Sequence, residues 1–230
     1  MSTINTILIA NRGEIASRVI RTCKKMGVRS IAVHSPIDEN LPFVHEADIA
    51  VKIGDNAPQT SYLDQELIIS TAKEFGADAI HPGYGFLSEN ADFAALCAKN
   101  NIIFIGPNVK AIKAMGSKSE AKILMRKNKV PTIPGYEGQN QDTEHLISEA
   151  KKVGFPLLLK ATAGGGGKGM RVVEKEKELA KSIEAAKRES LSAFGNDELI
   201  IEKYISSGRH IEFQIFGDQH GHAIHLLERE

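Results

Sequence analysis

Phe155-Pro-Leu-Leu-Leu-Lys160-Ala-Thr-Ala-Gly164-Gly-Gly-Gly167-Lys168-Gly169-Met170-Arg171-Val-Val173 reads as a strand ending in a lysine, a glycine loop carrying a second lysine, and another strand. Glycines admit positive φ and let successive backbone N–H groups turn toward phosphate oxygens, while the two ammonium groups supply opposing charge. The stretch therefore predicts a phosphate clamp, and the element after the loop decides its type. A Walker A loop or a dinucleotide-binding turn opens a helix whose N-terminus holds the anion. Here Met170, Val172 and Val173 continue as a β segment. Gly164, Gly166 and Gly169 formally satisfy G-x-G-x-x-G, but without a helix the dinucleotide reading fails. Walker A fails too, because Thr162 stands where its first glycine belongs and Gly169 where its Ser/Thr belongs. A glycine-rich hairpin over the phosphates remains, with Gly164 to Gly169 acting as a lid.

Outward from the hairpin, the second half of the chain begins near residue 115. Met115-Gly-Ser-Lys118-Ser-Glu-Ala-Lys122 starts a helix to about Asn128, with Ser117 as N-cap and Glu120 completing a capping box. Pro131 ends it, Pro134-Gly-Tyr-Glu-Gly138 reads as a loop, and a helix comes next from about Thr143 to Val153. Beyond the hairpin lies a charged helix over Lys175 to Ser192, then the strand Leu199 to Ile205. Arg209 to Phe216 alternates, with His210, Glu212 and Gln214 on a ligand-facing side and Ile211, Phe213 and Ile215 toward the core. Ala223 to Leu227 is a last apolar strand.

The first half alternates strands and helices: Ile4 to Ala10, helix Gly13 to Met26, Ser30 to His34, helix Leu63 to Phe75, Ala77 to His81, helix Asn90 to Asn100, Ile102 to Ile105. That rhythm predicts a doubly wound parallel sheet, with ligands at the loops after its strands. These loops are Asn11-Arg12-Gly13-Glu14, His81-Pro-Gly-Tyr84-Gly-Phe86 and Gly106-Pro107. Arg12 and Glu14 read equally as a helix-start ion pair or as substrate contacts. Tyr84, between two glycines, reads as exposed and functional.

Composition excludes a global electrostatic partner: 29 basic and 29 acidic residues in 230 leave no net field toward nucleic acid or anionic membrane. No stretch approaches the roughly 18 apolar residues of a membrane span. The N-terminus has neither a basic n-region nor a cleavage site, so it reads as a first strand and points to the cytoplasm; a mitochondrial matrix location would call for a transit peptide, which is not seen. Cys23 and Cys97 fall on apolar helix stripes and read as core thiols in a reducing compartment. His220, His222 and His225 crowd together, but Gly217-Asp-Gln-His-Gly221 is a hairpin-turn composition rather than a metal motif.

Asn11-Arg-Gly-Glu-Ile-Ala16, Ala32-Val-His34-Ser, His81 to Asn90, Phe104-Ile-Gly-Pro107, Met115-Gly-Ser-Lys118, Lys160 to Met170 and Glu202-Lys-Tyr204 stand in the order and spacing of biotin carboxylase. The chain thus resembles the ATP-grasp component of acetyl-CoA, propionyl-CoA, methylcrotonyl-CoA and pyruvate carboxylases. The resemblance implies a Rossmann-like N-terminal domain over 1–114 and an incomplete ATP-grasp α+β domain over 115–230, with a lid subdomain at about 131–203. It implies ATP-dependent conversion of bicarbonate to carboxyphosphate and carboxylation of biotin on a carrier protein. It also implies magnesium, a biotin carboxyl carrier protein or domain, a carboxyltransferase subunit or domain, and a homodimer of the full-length enzyme.

By position, Lys118 and Lys160 match the family's lysines for the ATP phosphates and adenine region, Gly166 and Gly167 match the phosphate-covering part of the lid, and Met170 after it is implied as an ATP-binding residue. Glu202, Lys203, Tyr204 and Ile205 match the adenine-reading linker, His210 a ribose contact, and Lys168 a lid cation. Tyr84 is the candidate on the biotin or bicarbonate side. The family's catalytic base, magnesium-binding acids and bicarbonate arginine have no counterparts up to Glu230, so this piece is expected to be inactive alone. Carbamoyl phosphate synthetase, the purine-pathway ATP-grasp ligases and a non-catalytic nucleotide-binding module are the alternatives.

Overall fold

The computed structural model describes residues 3–162, 170–218 and 220–230, apart from the side chain of Phe194. The chain divides into two compact units between Gly116 and Ser117.

The first unit runs β1 (Thr6–Ile9), α1 (Gly13–Met26), β2 (Arg29–His34), α2 (Pro42–Glu46), β3 (Ile49–Lys52), α3 (Gln65–Glu74), β4 (Ala79–His81), α4 (Ala91–Lys99), β5 (Ile103–Phe104) and α5 (Val109–Gly116). Its strands form a parallel sheet in the order β3-β2-β1-β4-β5. Apolar runs such as Ile31, Ala32 and Val33 are buried on both sides, as a sheet covered on both faces requires. One face packs Leu8, Ile31, Val33 and Ile80 against Ile68, Ala72, Phe93 and Cys97; the other packs Ile9 and Ala32 against Ala16, Ile20 and Phe43. Both cysteines are buried, and burial pushes the Cys97 thiol up to about 12. Strand order reverses around β1, which pairs with β2 on one side and β4 on the other. In open parallel sheets such a switch point leaves a crevice beyond the strand ends, where ligands bind.

The second unit contains α6 (Lys118–Lys127), β6 (Gly135–Tyr136), α7 (Thr143–Val153), β7 (Leu157–Ala161), β8 (Met170–Val173), α8 (Leu179–Phe194), β9 (Leu199–Lys203), β10 (Glu212–Gly217) and β11 (Ala223–Arg229). Among the described residues, β6-β9-β7-β8 form an antiparallel sheet and β10-β11 a separate hairpin. Helices α7 and α8 cover one face of the sheet, closing a core of Leu146, Ala150, Leu157, Leu159, Val173, Ile183, Leu199 and Ile201. The strand pleat sends the intervening residues Leu158, Lys160, Ile200 and Glu202 to the opposite face.

Several expectations are corrected. The Pro134–Gly138 loop contains β6, whose Gly135 pairs with Glu202. A Cβ at Gly135 would collide with the carbonyl oxygen of Ile201, so the residue that reads as a turn permits close pairing. Ser117 caps α6 as expected, accepting from the Glu120 N–H at 3.3 Å, but Met115 and Gly116 before it close a separate helix, α5. A 3-10 turn over Glu176–Glu178 precedes α8. Phe213 and Ile215, expected in the core, are 57% and 70% exposed, because β10 pairs only with β11 among the described residues.

Candidate functional site

In the second unit, Lys160 lies near the end of β7 and Glu202 near the end of β9, on the sheet face opposite α7 and α8. The Lys160 ammonium pairs with Glu202 Oε2. The other carboxylate oxygen, Oε1, accepts from Lys122 Nζ at 3.0 Å. Lys122, on α6, lies 3.5 Å from Glu137 just after β6, and Glu137 is held in turn by the Arg126 guanidinium. The five groups form an alternating ladder from Lys160 to Arg126. Its interior members are nearly buried, with side-chain exposures of 11% for Glu202, 14% for Lys122 and 4% for Glu137. Burial alone would raise the Glu202 carboxyl, but the hydrogen bonds from Lys160 and Lys122 outweigh it and hold the group below its ordinary value.

Met170 faces Lys160 across the β7–β8 register, and Val172 faces Leu158. At β8 this face thus carries the partly exposed apolar side chains Met170 and Val172 beside a charged pair, an arrangement suited to a planar base with a phosphate tail. Met170 begins a strand, so no helix starts at residues 170 or 171. Gly166, Gly167 and Lys168, together with the rest of the expected Gly164 to Gly169 lid, lie outside the described residues.

The remaining expected site residues are placed less uniformly. Lys118 is the first residue of α6 and is exposed. Lys203 sits on the helix-covered side and donates its ammonium to the Phe155 carbonyl at 2.7 Å. Tyr204 leaves the sheet with its N–H on the Pro156 carbonyl at 3.1 Å, and Ile205 is exposed. His210 lies on the exposed segment before β10, its Nε2 3.7 Å from Glu212. His222 bonds Asp218 through Nδ1 at 2.7 Å, as part of the β10–β11 turn.

In the first unit, the crevice beyond β1 and β4 is built by Asn11. Its buried amide donates to the carbonyls of Pro82 at 2.7 Å and Tyr84 at 2.9 Å, while its Oδ1 accepts from the Arg12 N–H. Gly83 takes a φ of +64°, and a Cβ there would lie 2.6 Å from Ile15 Cγ2 and 2.7 Å from Asn11 Nδ2. The Gly83 N–H donates to His81 Nδ1 at 3.0 Å, and burial lowers the pKa of that imidazole. Tyr84 is thereby carried out of the fold, 65% exposed. Replacing Asn11 by alanine strands two carbonyls and is expected to destabilise the unit by about 1 to 2 kcal/mol. It should also speed chymotryptic cleavage at Tyr84; unchanged stability and cleavage would show that the loop holds itself.

Arg12 does not pair with Glu14. Its guanidinium forks onto Asp38, with Nε 2.7 Å from Oδ2, and Glu14 lies 3.9 Å from Arg21 instead. Asp38 is buried and also accepts from the Tyr62 hydroxyl at 2.6 Å and the Ser35 hydroxyl at 3.1 Å. The Arg12 hydrogen bonds lead in holding this carboxyl down at about 2, whereas burial leads in pushing Tyr62 up to about 12. Tyr62 stacks on Phe86 with ring centroids 5.1 Å apart, linking the charged cluster to the Tyr84 loop.

Two family models match the chain in succession: the biotin carboxylase N-terminal domain over residues 3–112, and the carbamoyl-phosphate synthase L chain ATP-binding domain over residues 117–230. The chain belongs to the biotin carboxylase family. It is 55% identical over 227 residues to the methylcrotonoyl-CoA carboxylase subunit alpha of Dictyostelium discoideum, covering 99% of this chain and 32% of that protein. To the human propionyl-CoA carboxylase alpha chain it is 49% identical, covering 99% of this chain and 31% of the relative. The chain thus spans about a third of the length of the curated relatives it matches. The biotin carboxylase from Campylobacter jejuni, solved as a β-γ-ATP complex, superposes with a TM-score of 0.92 at 49% identity, covering 98% of this chain and 51% of that one. The biotin carboxylase domain dimer of Hydrogenobacter thermophilus 2-oxoglutarate carboxylase, in complex with MgADP, ADP and bicarbonate, gives 0.91 at 47% identity over 99% of this chain and 50% of that one.

The residues that sequence reasoning misses are Lys122, Glu137, Arg126 and Asn11. Lys122 has one available signal: it stands one helical turn after Lys118 in an N-capped helix, so both lysines project from neighbouring positions.

Proposed function

We propose that this chain supplies the nucleotide-binding face and the biotin-side crevice of an enzyme that uses ATP to activate bicarbonate and carboxylates biotin on a carrier. The observation that carries this reading is the Lys160–Glu202 pair on the sheet face opposite α7 and α8. Phosphoryl transfer to bicarbonate depends on positioning and charge neutralisation more than on covalent help from protein groups. Lys118 and Lys160 serve the phosphates and adenine region, Met170 packs against the base, and Glu202 with Lys203, Tyr204 and Ile205 reads it. The Lys203 ammonium is held by Phe155, so Lys203 acts in this reading through its backbone. Gly166 and Gly167 cover the phosphates, His210 serves the ribose, and Tyr84 faces biotin or bicarbonate.

The matching C. jejuni and H. thermophilus structures hold nucleotide, and the latter also holds magnesium and bicarbonate. Among the described residues no three His, Cys, Asp or Glu side chains gather as metal ligands, so no residue described is assigned to magnesium. A biotinylated carrier and a carboxyltransferase are the proposed partners, and a second copy of the completed enzyme is proposed by analogy with the H. thermophilus dimer. Among the described residues no helix is long and apolar enough to cross a membrane. The named relatives are mitochondrial, and either the matrix or the cytoplasm would keep the two buried thiols reduced.

The test joins this chain to the part of the D. discoideum relative that it does not span and measures phosphate release from ATP. Release should require bicarbonate, rise with free biotin, and be missing from the 230-residue chain alone. The second family model is named for carbamoyl-phosphate synthase, so ammonia is the control. Release driven by ammonia and indifferent to biotin would transfer the chain to that class.

A further inference from the structure

The ladder on the second unit contains three cations, Lys160, Lys122 and Arg126, and two carboxylates, Glu202 and Glu137. Arg126 grips Glu137 at one end, so that carboxylate does not need the charge of Lys122. Lys122 stands between the two carboxylates, closer to Glu202 at 3.0 Å than to Glu137 at 3.5 Å. Glu202 therefore has two ammonium partners, one on each oxygen, in a place where its side chain is 11% exposed.

A buried carboxylate that loses its cation is strongly penalised. If Lys160 were the sole partner of Glu202, every approach of Lys160 to a phosphate would strand that charge. With Lys122 in place, Lys160 can turn toward an arriving anion while Glu202 stays paired. We propose that Lys122 is a positioning residue for nucleotide binding: it takes over the charge of Glu202 so that Lys160 is released to the phosphates, without itself touching the nucleotide. Arg126 completes the device by keeping Glu137 from drawing Lys122 away. This inference rests on the reading of Lys160 as a phosphate-binding lysine.

The ladder makes a prediction that a packing role does not. Lys122→Met leaves two cations against two carboxylates, locks Lys160 onto Glu202 and should weaken ATP binding at least about tenfold, the scale of one charge-assisted hydrogen bond. Lys122→Arg keeps the charge and should bind ATP close to the parent. In a Glu202→Gln background there is no carboxylate to hold Lys160, so adding Lys122→Met should change the ATP affinity less than about twofold, a non-additivity that reports direct coupling. The experiment titrates the chain joined to the part of the D. discoideum relative that it does not span, and these variants of that fusion, with ATP by calorimetry in the absence of bicarbonate, and far-UV circular dichroism checks each fold. A Lys122→Met affinity equal to the parent's, or the same loss with and without Glu202, overturns the inference alone. No ATP binding by the parent fusion overturns the nucleotide-site reading and this inference with it. Should Lys122→Met fail to fold, the comparison of Glu202→Gln with its Lys122→Met partner decides: an undiminished loss there overturns the proposal, and its disappearance supports it.

Discussion

Replacing Arg12 by methionine is expected to destabilise the amino-terminal unit by about 3 to 5 kcal/mol, among the largest losses available to a single substitution there. Methionine preserves the stem but leaves the Asp38 carboxylate, with a side chain only 3% exposed, without a cation among the described residues and with side-chain hydrogen bonds only from the Tyr62 and Ser35 hydroxyls. The converse change is milder on electrostatic grounds, because Arg12 is 45% exposed and can turn to water once Asp38 is gone. The consequence should reach the candidate biotin-side loop, since the same carboxylate anchors Tyr62, whose ring stacks on Phe86.

The pH dependence has a definite sign. Asp38 titrates near 2 in the folded chain, below its unfolded value of about 3.9. A depressed folded pKa contributes stability that is fully present above the unfolded value and is lost as pH falls through the folded one. The parent should therefore lose this contribution between about pH 4 and pH 2. Arg12→Met removes the leading cause of that depression and leaves only the Tyr62 and Ser35 hydrogen bonds against the effect of burial, so the gap between parent and variant should narrow across that window. Urea unfolding at neutral pH and at stepped acid values checks both points. A loss under about 1 kcal/mol at neutral pH, or a gap that stays constant in acid, would show that Arg12 is a solvated surface cation.

The alternation of apolar strands with amphipathic helices makes the first sheet legible, because a strand buried on both faces is a continuous apolar run, as at Ile31 to Val33. Elements without that signature stay hidden. Ile49–Lys52 is an edge strand exposed at every second residue, and Pro42–Glu46 is a helix of barely more than one turn. Gly135 pairs in the second sheet by virtue of lacking a side chain, the property that makes it read as a turn. The site divides in the same way. Lys160 can be read from a local pattern, the strand before the glycine loop, and period two places its side chain opposite Leu159. Its charged partners cannot, because Lys122 and Glu202 meet across 80 positions of sequence, and Arg12 and Asp38 across 26. Single-sequence reading sees spacing along a helix or strand, whereas an ion pair between elements depends on how the sheet is assembled. A pairing of Arg12 with Glu14 fails for that reason: proximity in sequence stands in for proximity in space.

In the completed enzyme, removing the Lys160 charge should weaken ATP binding by about 1.5 to 3 kcal/mol, roughly ten- to a hundredfold, with little change in stability. Lys160→Met keeps an unbranched side chain on β7, at a position facing away from the α7–α8 core, so the packing of Leu157 and Leu159 is untouched. Glu202 retains Lys122 at 3.0 Å, so its carboxylate is not stranded and the fold should lose no more than about 1 kcal/mol. The two readouts separate the roles. If Lys160 existed to neutralise Glu202, the variant would unfold more easily while binding ATP as before. If it exists for the nucleotide, thermal stability will hold while ATP affinity falls, and the loss should shrink as salt rises because screening weakens the charge that was removed. Calorimetric titration with ATP at two ionic strengths, beside a thermal melt, measures all three quantities. An ATP affinity unchanged by Lys160→Met would remove the phosphate role from this lysine and return the Lys160–Glu202 pair to the structure of the sheet.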